Sequence, residues 1–202
     1  MTESKRTILL LAVAQALYSS CIITVFATAS LEGLNIAPRH GRATLPMTTF
    51  VLGAMFTTVP ASMLMQRLGR KPIFLMGAGV SIVGACLAVW SIMTSNFAAF
   101  CFATALQGVF QATSGFYRFA AAEAADDENK SIAISWVLTG GVVAAVAGTV
   151  ISNYSSDLIP PHAFAGSYAA AALLALVNAA VILFLRIPKP TTSDVGGEAR
   201  SW

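Results

Sequence analysis

Six apolar runs, each about the length of a membrane-spanning helix, follow one another along the chain and are separated by short polar segments. A helix needs about 20 mostly apolar residues to cross a hydrocarbon core of roughly 30 Å. Because backbone polar groups in lipid have to be satisfied within the segment, and the alternating pattern of barrel strands is absent, the runs predict helices. The six runs span residues 8–30, 43–65, 72–93, 97–119, 132–151 and 163–185.

Turn and capping residues mark the boundaries between the runs. Pro72 opens the third run, and proline is tolerated in a first helical turn. Asn96 is suited to cap the fourth run, and Pro160 precedes the sixth. For the first run a cleaved signal peptide is the alternative, but the apolar core of such a peptide spans only about 7–15 residues. We therefore expect a membrane helix at the first run.

The composition excludes an ordinary soluble protein. The chain is 56% hydrophobic and 10% charged, with a mean hydropathy of +0.73, whereas soluble domains are about 25% charged. A net charge of +3 is too small to imply a nucleic-acid partner. The runs contain no paired carboxylates, histidine cluster or nucleophile–base pair. The sequence therefore predicts an integral membrane protein embedded in the lipid bilayer, with no enzymatic activity, no cofactor and no metal site.

The distribution of basic residues predicts the orientation. With the N-terminus inside, the outside segments hold only Arg39 and Arg42 of the twelve Lys and Arg. This positive-inside bias predicts a multi-pass protein with both termini cytoplasmic. A six-helix transmembrane domain is expected over residues 1–187, and the polar tail 188–202, with its prolines and glycines, is expected to be disordered. The inside segments hold Lys5, Arg6, Arg67, Arg70, Lys71, Arg118, Lys130, Arg186, Lys189 and Arg200.

Polar side chains inside the first and fourth runs are the candidate functional residues. Such groups are costly in a membrane and mark functional sites by default. Gln107, Gln111 and Ser114, followed by Arg118, recur at helical spacing, so they form a stripe that faces either a cavity or a partner helix. The candidates for a substrate cavity are Gln15, Tyr18, Ser19, Gln107, Gln111, Ser114, Tyr117 and Arg118.

Charged groups within the runs are scarce. Arg118 lies near one end of its helix, where it is expected either to anchor at the interface, with Glu123 or Asp126 as a partner, or to contact an anionic substrate. The runs as predicted contain no Asp or Glu. Any proton coupling is therefore expected to use a carboxylate from a partner.

Small residues recur on one face of the fifth run. Gly141, Ala145 and Gly148 are spaced to share that face, and Gly140 lies beside it. Without bulky side chains, helix backbones can approach closely in lipid. The pattern predicts that this helix packs tightly against a neighbour.

The segment SMLMQRLGRK, residues 62–71, resembles the signature of the helix 2–3 loop in the major facilitator superfamily, G-x-x-x-D-R-x-G-R-K. Arg67, Gly69, Arg70 and Lys71 match it, whereas Ser62 and Gln66 stand in place of its glycine and aspartate. LQG at residues 106–108 and GGVVAAVAG at residues 140–148 are similar to the helix-four and helix-five motifs of the family. Residues 115–145 resemble a bacterial branch that includes copper importers and riboflavin transporters.

The resemblance implies an all-α fold and a transport function. Members have about twelve helices in two halves, so this chain corresponds to the N-terminal six-helix half, itself built from 3+3 inverted repeats. It would act as a half-size secondary transporter in a bacterial inner membrane and move a small molecule or ion by alternating access. Its partner would be a second six-helix half, either another copy or a separate chain. The alternative is a non-transporting fragment or an accessory subunit of another membrane complex.

The resemblance also assigns roles to particular residues. Helices one and four line the cavity in the superfamily, which favours the polar candidates as cavity residues. In relatives the motif aspartate helps to latch the helix 2–3 loop against the second half. Since Gln66 occupies that position here, the latch is expected to be weaker or to be made differently with a partner.

Overall fold

The computed structural model describes residues 3–38, 40–126 and 129–185, and every regular element in these ranges is helical. Five of the helices, namely α1, α2, α3, α6 and α7, are long and apolar enough to cross a membrane. A short 3₁₀ turn, His40–Arg42, connects α1 to α2. The tail predicted at residues 188–202 lies outside the described residues. The helices are α1 Glu3–Ile36, α2 Leu45–Leu68, α3 Arg70–Met93, α4 Phe97–Ser114, α5 Tyr117–Ala124, α6 Lys130–Ser155 and α7 Ala165–Leu183.

The fourth predicted run, residues 97–119, is not one helix, which corrects the sequence prediction. A turn at Gly115 and Phe116 separates α4 from α5. At this turn the Phe116 N–H bonds the carbonyl of Thr113, three residues back, at 3.3 Å. Adjacent Ser and Gly are common sites of helix kinks, and glycine is a poor helix former. The pair Ser114 and Gly115 therefore explains the break, and α4 with α5 takes the place of the fourth run.

Helix α1 is longer than the first predicted run at both ends. It continues past Ser30 to Ile36 and so includes Glu32, whose side chain is only 3% exposed. The prediction that these helices bury no Asp or Glu is therefore wrong. The predicted cap of the fourth run is confirmed, because the Asn96 side chain accepts a hydrogen bond from the Ala99 N–H at 3.1 Å.

The neighbours of each helix follow a repeat of three plus three. Helix α1 packs on α6 and α7, α4 packs on α2 and α3, and α3 packs on α7. When the first three helices are exchanged with the fourth (α4), fifth (α6) and sixth (α7), the pair α1–α6 becomes α4–α2 and the pair α1–α7 becomes α4–α3. The pair α3–α7 is unchanged by the exchange. This arrangement agrees with the 3+3 repeat implied by the family resemblance.

Glycines allow the closest helix crossings. Where α2 meets α4, a Cβ on Gly108 would overlap the carbonyl oxygen of Phe50, and one on Gly53 would overlap that of Ala105. In the sequence, Gly108 is recognisable only as part of the short motif LQG. Since both obstacles are backbone atoms, neither glycine position has room for a side chain.

Helix α6 packs against α1 through the small residues predicted for it. A Cβ on Gly148 would lie 2.8 Å from the carbonyl oxygen of Ser20, and one on Gly140 would meet the carbonyl of Ala12. Ala144 completes this face at 1% exposure, whereas Ala145, which the sequence placed on it, is exposed. The buried face follows Gly140, Ala144 and Gly148, which are four residues apart and so lie one above the other on the helix, whereas Ala145 is on the next face round.

The two ends of the bundle differ in charge. We call the end formed by the start of α1, the α2–α3 connection and the ends of α5 and α7 the basic end. The other end, formed by the end of α1 and the α6–α7 connection, is called the distal end. Among the described residues, Lys5, Arg70 and Lys71 lie at the basic end.

Candidate functional site

Tyr18, near the middle of α1, is joined to Gln111, which lies in the last turn of α4 just before the α4–α5 break. The Tyr18 hydroxyl donates to Gln111 Oε1 at 2.6 Å. The Tyr18 ring also makes edge-to-face contacts with Phe110 and Tyr117, at centroid distances of 5.4 and 6.1 Å. Such pairs stabilise an aromatic cluster beyond the area they bury. The first and fourth runs therefore bring their polar candidates together.

Gln15 and Ser19 are two further candidates, and they lie one helical turn apart on α1. Gln15 Nε2 donates to Ser19 Oγ at 3.2 Å, and both side chains are partly exposed, as is Gln111. Gly141 of α6 lies beside them, since a Cβ built there would be 3.6 Å from Ser19 Oγ and 3.7 Å from Gln15 Nε2. We call Gln15, Tyr18, Ser19 and Gln111 the polar cluster. Its amides and hydroxyls form a partly open face of hydrogen-bond donors and acceptors.

Gln107 lies on the same helix but faces a different neighbour. Its side chain is fully buried. Its amide nitrogen donates to the Ser81 carbonyl at 2.9 Å, and its amide oxygen accepts from the Ser81 hydroxyl at 2.8 Å. Of the two roles predicted for the stripe, Gln107 therefore takes that of a contact with a partner helix, α3.

Ser114 and Tyr117 belong to a buried chain of hydrogen bonds that crosses the α4–α5 break. The Ser114 hydroxyl donates to the Tyr117 hydroxyl at 3.1 Å, and Tyr117 donates to Asn178 Oδ1 at 3.0 Å. Asn178 Nδ2 donates to the carbonyl of Ala14 at 2.7 Å. We call Ser114, Tyr117, Asn178 and Ala14 the buried network. It connects the break to α7 and α1.

Asn178 was missed by the sequence analysis. A signal was present, because Asn178 is the only amide side chain in the sixth apolar run, residues 163–185. A buried polar group needs a hydrogen-bond partner, and in lipid that partner is supplied by the protein. The partners, however, lie on helices distant in sequence, so the spacing of residues in one run could not identify them.

Arg118 does not continue the polar stripe. It is exposed, and its guanidinium lies 5.2 Å from the centroid of the Phe119 ring. Because the turn at Gly115 interrupts the helix, the spacing that related Arg118 to Ser114 no longer applies. Glu123, offered as its partner by the sequence analysis, pairs with Arg70 instead.

The basic loop between α2 and α3 is a single-residue connection. Gly69 has φ 88° and ψ 165°, a backbone conformation that side-chain-bearing residues rarely adopt. Arg70 at the start of α3 donates through Nε to Glu123 Oε2 at 2.7 Å and through its terminal nitrogen to Oε1. A forked pair of this kind has defined geometry. It attaches α3 to the end of α5.

Lys71 attaches the same loop to α7. Its Nζ donates to the carbonyl of Leu183 at 2.7 Å, and a lysine is favourable at a helix C-terminus, where carbonyls lack partners. Gln66 and Arg67 are exposed in contrast. Within this chain, therefore, Arg70 and Lys71 fasten the basic end, whereas Gln66 and Arg67 are accessible to another molecule.

The ion pair of the basic loop gives a local prediction. We expect Arg70→Gln to increase hydrogen–deuterium exchange in α5 while changing overall stability by about 1 kcal/mol or less, because Glu123 is 60% exposed and exposed ion pairs contribute little. Arg67→Gln, which removes an exposed cation from the same loop, is the matched control. Equal exchange of α5 in the two variants would contradict the fastening role of Arg70.

Comparison with known proteins places these features in a family. A sequence model described as Major Facilitator Superfamily matches residues 8–202. The riboflavin transporter RfnT of Brucella anthropi is 36% identical over 188 residues, which cover 93% of this chain and 47% of that protein. The chain thus spans about half the length of this relative. The similarity to a riboflavin transporter predicted from residues 115–145 is confirmed, whereas the similarity to copper importers stays a prediction.

Proposed function

The chain belongs to the Major Facilitator Superfamily, and from that premise we propose that it moves a small solute across a membrane as one half of a secondary transporter. It is a multi-pass membrane protein of apolar helices. The observation that supports a transport site is the bond between the buried Tyr18 and the partly exposed Gln111. It places polar groups near the middle of α1 and near the middle of the α4–α5 segment, residues 97–124. A polar face at that depth is suited to a solute rather than to lipid.

A second six-helix half is the proposed partner, either another copy of this chain or a separate chain. In the family, two halves enclose a site near the midplane. Helices α2 and α6 present large apolar side chains such as Phe56 and Val142, which are 68% and 71% exposed. The polar cluster includes partly exposed groups on neighbouring helices. A partner that packs over the polar cluster would remove these polar groups from lipid.

We propose a flavin-like solute as the substrate. The related protein from Brucella anthropi is named as a riboflavin transporter. Riboflavin carries a flat ring with carbonyl and N–H groups and a hydroxylated chain, which match the amides and hydroxyls of the polar cluster. A copper ion would favour soft sulfur or imidazole ligands, whereas this cluster offers oxygen and amide groups.

The proposed location is a bacterial inner membrane, with the basic end in the cytoplasm. Lys5, Arg6, Arg67, Arg70 and Lys71 are all at that end, and basic residues are retained on the cytoplasmic side. A reporter enzyme active only outside the cytoplasm, fused in the α6–α7 connection, is expected to be active. The same reporter between α2 and α3 is expected to be inactive.

The function is tested by uptake of labelled riboflavin into bacteria that cannot make it. The chain is expressed alone and together with a six-helix chain encoded beside it, where there is one, and copper uptake is measured in parallel. We expect riboflavin uptake above the level of cells without the chain. Uptake of copper alone would overturn the proposed substrate. No uptake of either solute, with normal insertion in the membrane, would favour the accessory role.

The polar cluster gives the site prediction. We expect Gln111→Ala to raise the KM for riboflavin roughly five- to tenfold, because a lost hydrogen bond to a neutral group costs about 1 kcal/mol. Gln66→Ala, which removes an exposed amide from the α2–α3 loop, is the control and is expected to leave KM unchanged. Gln107→Ala should lower the amount of folded protein without changing KM. An unchanged KM in Gln111→Ala would place the substrate site elsewhere.

A further inference from the structure

Arg118 lies farther from the end of its membrane segment than any other basic residue that the structure describes. It belongs to the α4–α5 segment, residues 97–124, and precedes the last residue of α5 by six positions, which corresponds to a rise of about 9 Å. Arg67, Arg70 and Lys71, in contrast, lie beside the α2–α3 connection. A charged side chain inside a membrane segment is costly and marks a functional position by default. The position of Arg118 therefore favours a partner for its charge.

The described part of the chain supplies no anionic partner for Arg118. Among the described residues the salt bridge joins Arg70 to Glu123, so the acidic residue of α5 is already paired. The Arg118 guanidinium lies 5.2 Å from the centroid of the Phe119 ring, a contact that attracts a cation but does not neutralise its charge. Because the Arg118 side chain is exposed, its N–H donors are accessible to an anion from outside the chain.

Arg118 also lies close to the polar cluster. Its guanidinium interacts electrostatically with Tyr18, whose hydroxyl donates to Gln111 at 2.6 Å. Tyr117, the residue before Arg118, contacts the Tyr18 ring edge to face, with 6.1 Å between the centroids. Gln111 and Arg118 are seven residues apart, a rise of about 10 Å in a helix. One elongated solute can therefore contact both the polar cluster and the guanidinium.

We propose that Arg118 binds an acidic group of the solute, and that the preferred flavin is a phosphorylated one, riboflavin 5′-phosphate. The guanidinium donates paired N–H hydrogen bonds to two phosphate oxygens, while the polar groups of the flavin ring meet the amides and hydroxyls of the polar cluster. The hydroxylated chain that joins ring and phosphate spans the distance between them. The inference rests on the proposed transport function for the identity of the flavin, whereas the anion site itself can be measured with inorganic phosphate.

Transport of the two flavins tests the preference, with the full chain in proteoliposomes and its partner half where one is required. We expect the unaltered protein to have a lower KM for riboflavin 5′-phosphate than for riboflavin. Arg118→Gln is expected to raise the KM for the phosphorylated flavin about tenfold, roughly five times the change for riboflavin, because hydrogen bonds to charged groups are stronger than those to neutral groups. Arg118→Lys, which keeps the charge, is expected to restore part of the difference.

Arg67→Gln is the matched control for this experiment, because it removes an exposed cation from the α2–α3 connection. It is expected to leave both KM values unchanged. Equal changes for the two flavins in Arg118→Gln, or no change for either, would overturn the proposal. Transport of riboflavin by the unaltered protein with no preference for its phosphate would overturn it as well.

Thermal unfolding of the same protein in micelles tests the anion site without transport. Inorganic phosphate is expected to raise the Tm relative to chloride at equal ionic strength, and Arg118→Gln is expected to lose this increase while Arg67→Gln keeps it. A phosphate effect that Arg118→Gln leaves unchanged would overturn the site. A phosphate effect that depends on Arg118, in a protein that moves neither flavin, would support the anion site and overturn only the proposed flavin substrate.

A lipid headgroup offers the same phosphate chemistry, so phosphatidylglycerol is added to the micelles in a separate titration. Because the proposed anion lies beside the polar cluster, Arg118→Gln is expected to keep any stabilisation by this lipid. Loss of the lipid effect in Arg118→Gln, together with an unchanged KM for riboflavin 5′-phosphate, would identify Arg118 as an anchor at the membrane interface and overturn the proposal.

Discussion

Gly108→Ala is expected to destabilise the bundle by about 1–3 kcal/mol, the range seen when extra atoms are forced into packed interiors. The added methyl would overlap the Phe50 carbonyl oxygen and lie 2.7 Å from the backbone nitrogen of Ala54. Because these obstacles are backbone atoms, no side-chain rotation can make room. Helices α2 and α4 would therefore have to move apart at this crossing.

Thermal unfolding in detergent micelles measures this effect, and the chain provides its own control. Gly79 lies on α3, and a Cβ built there meets no atom within 4 Å. Gly79→Ala is expected to be neutral or to stabilise the protein by up to about 1 kcal/mol, since alanine favours a helix more than glycine does. If the two alanine variants unfolded at the same temperature, close α2–α4 packing at Gly108 would be contradicted.

Hydropathy predicted the membrane helices well because a bilayer imposes both their length and their hydrogen bonding. It predicted their ends less well. The first run was ended at Ser30, where polar residues begin, but α1 continues to Ile36. Packing at the distal end buries Glu32, and such burial depends on neighbours that a single run does not reveal. Hydropathy also did not predict the helix break after Ser114, because the break occurs within an otherwise apolar run.

The polar candidates were predicted by residue type, but their roles depend on tertiary contacts. Gln107 and Gln111 are four residues apart on one helix. Gln107 bonds Ser81 of α3, whereas Gln111 bonds Tyr18 of α1 and is partly exposed. Helical spacing predicts that both side chains lie on one stripe. Their different roles, Gln107 as a packing contact and Gln111 as a candidate binding group, follow from the positions of α3 and α1, which the spacing does not reveal. Arg118 does not lie on this stripe for a different reason, because the turn at Gly115 interrupts the helix before it.

Asn178→Leu is expected to destabilise the bundle by about 1–2 kcal/mol. The substitution would leave the Ala14 carbonyl and the Tyr117 hydroxyl of the buried network without their partner. Hydrogen bonds between helices in a membrane contribute about 0.6 kcal/mol on average and up to about 1.7, and an unsatisfied buried group adds a further cost. Ala14 and Tyr117 are both buried, so water cannot replace the lost hydrogen bonds. The thermal unfolding midpoint in micelles is again the measurement.

A double-mutant cycle separates the network from simple packing. Tyr117→Phe removes one hydroxyl and keeps the edge-to-face contact with Phe74, at 4.7 Å between ring centroids. If Tyr117 and Asn178 act through their shared bond, the double variant will lose less stability than the sum of the two single variants. Thr139→Val removes a bond within α6 from an exposed side chain and is expected to change stability by less than about 0.5 kcal/mol. Additive losses for Tyr117 and Asn178 would mean that each residue stabilises the bundle through separate contacts, and the α4–α5 break would then be held to α7 by packing alone.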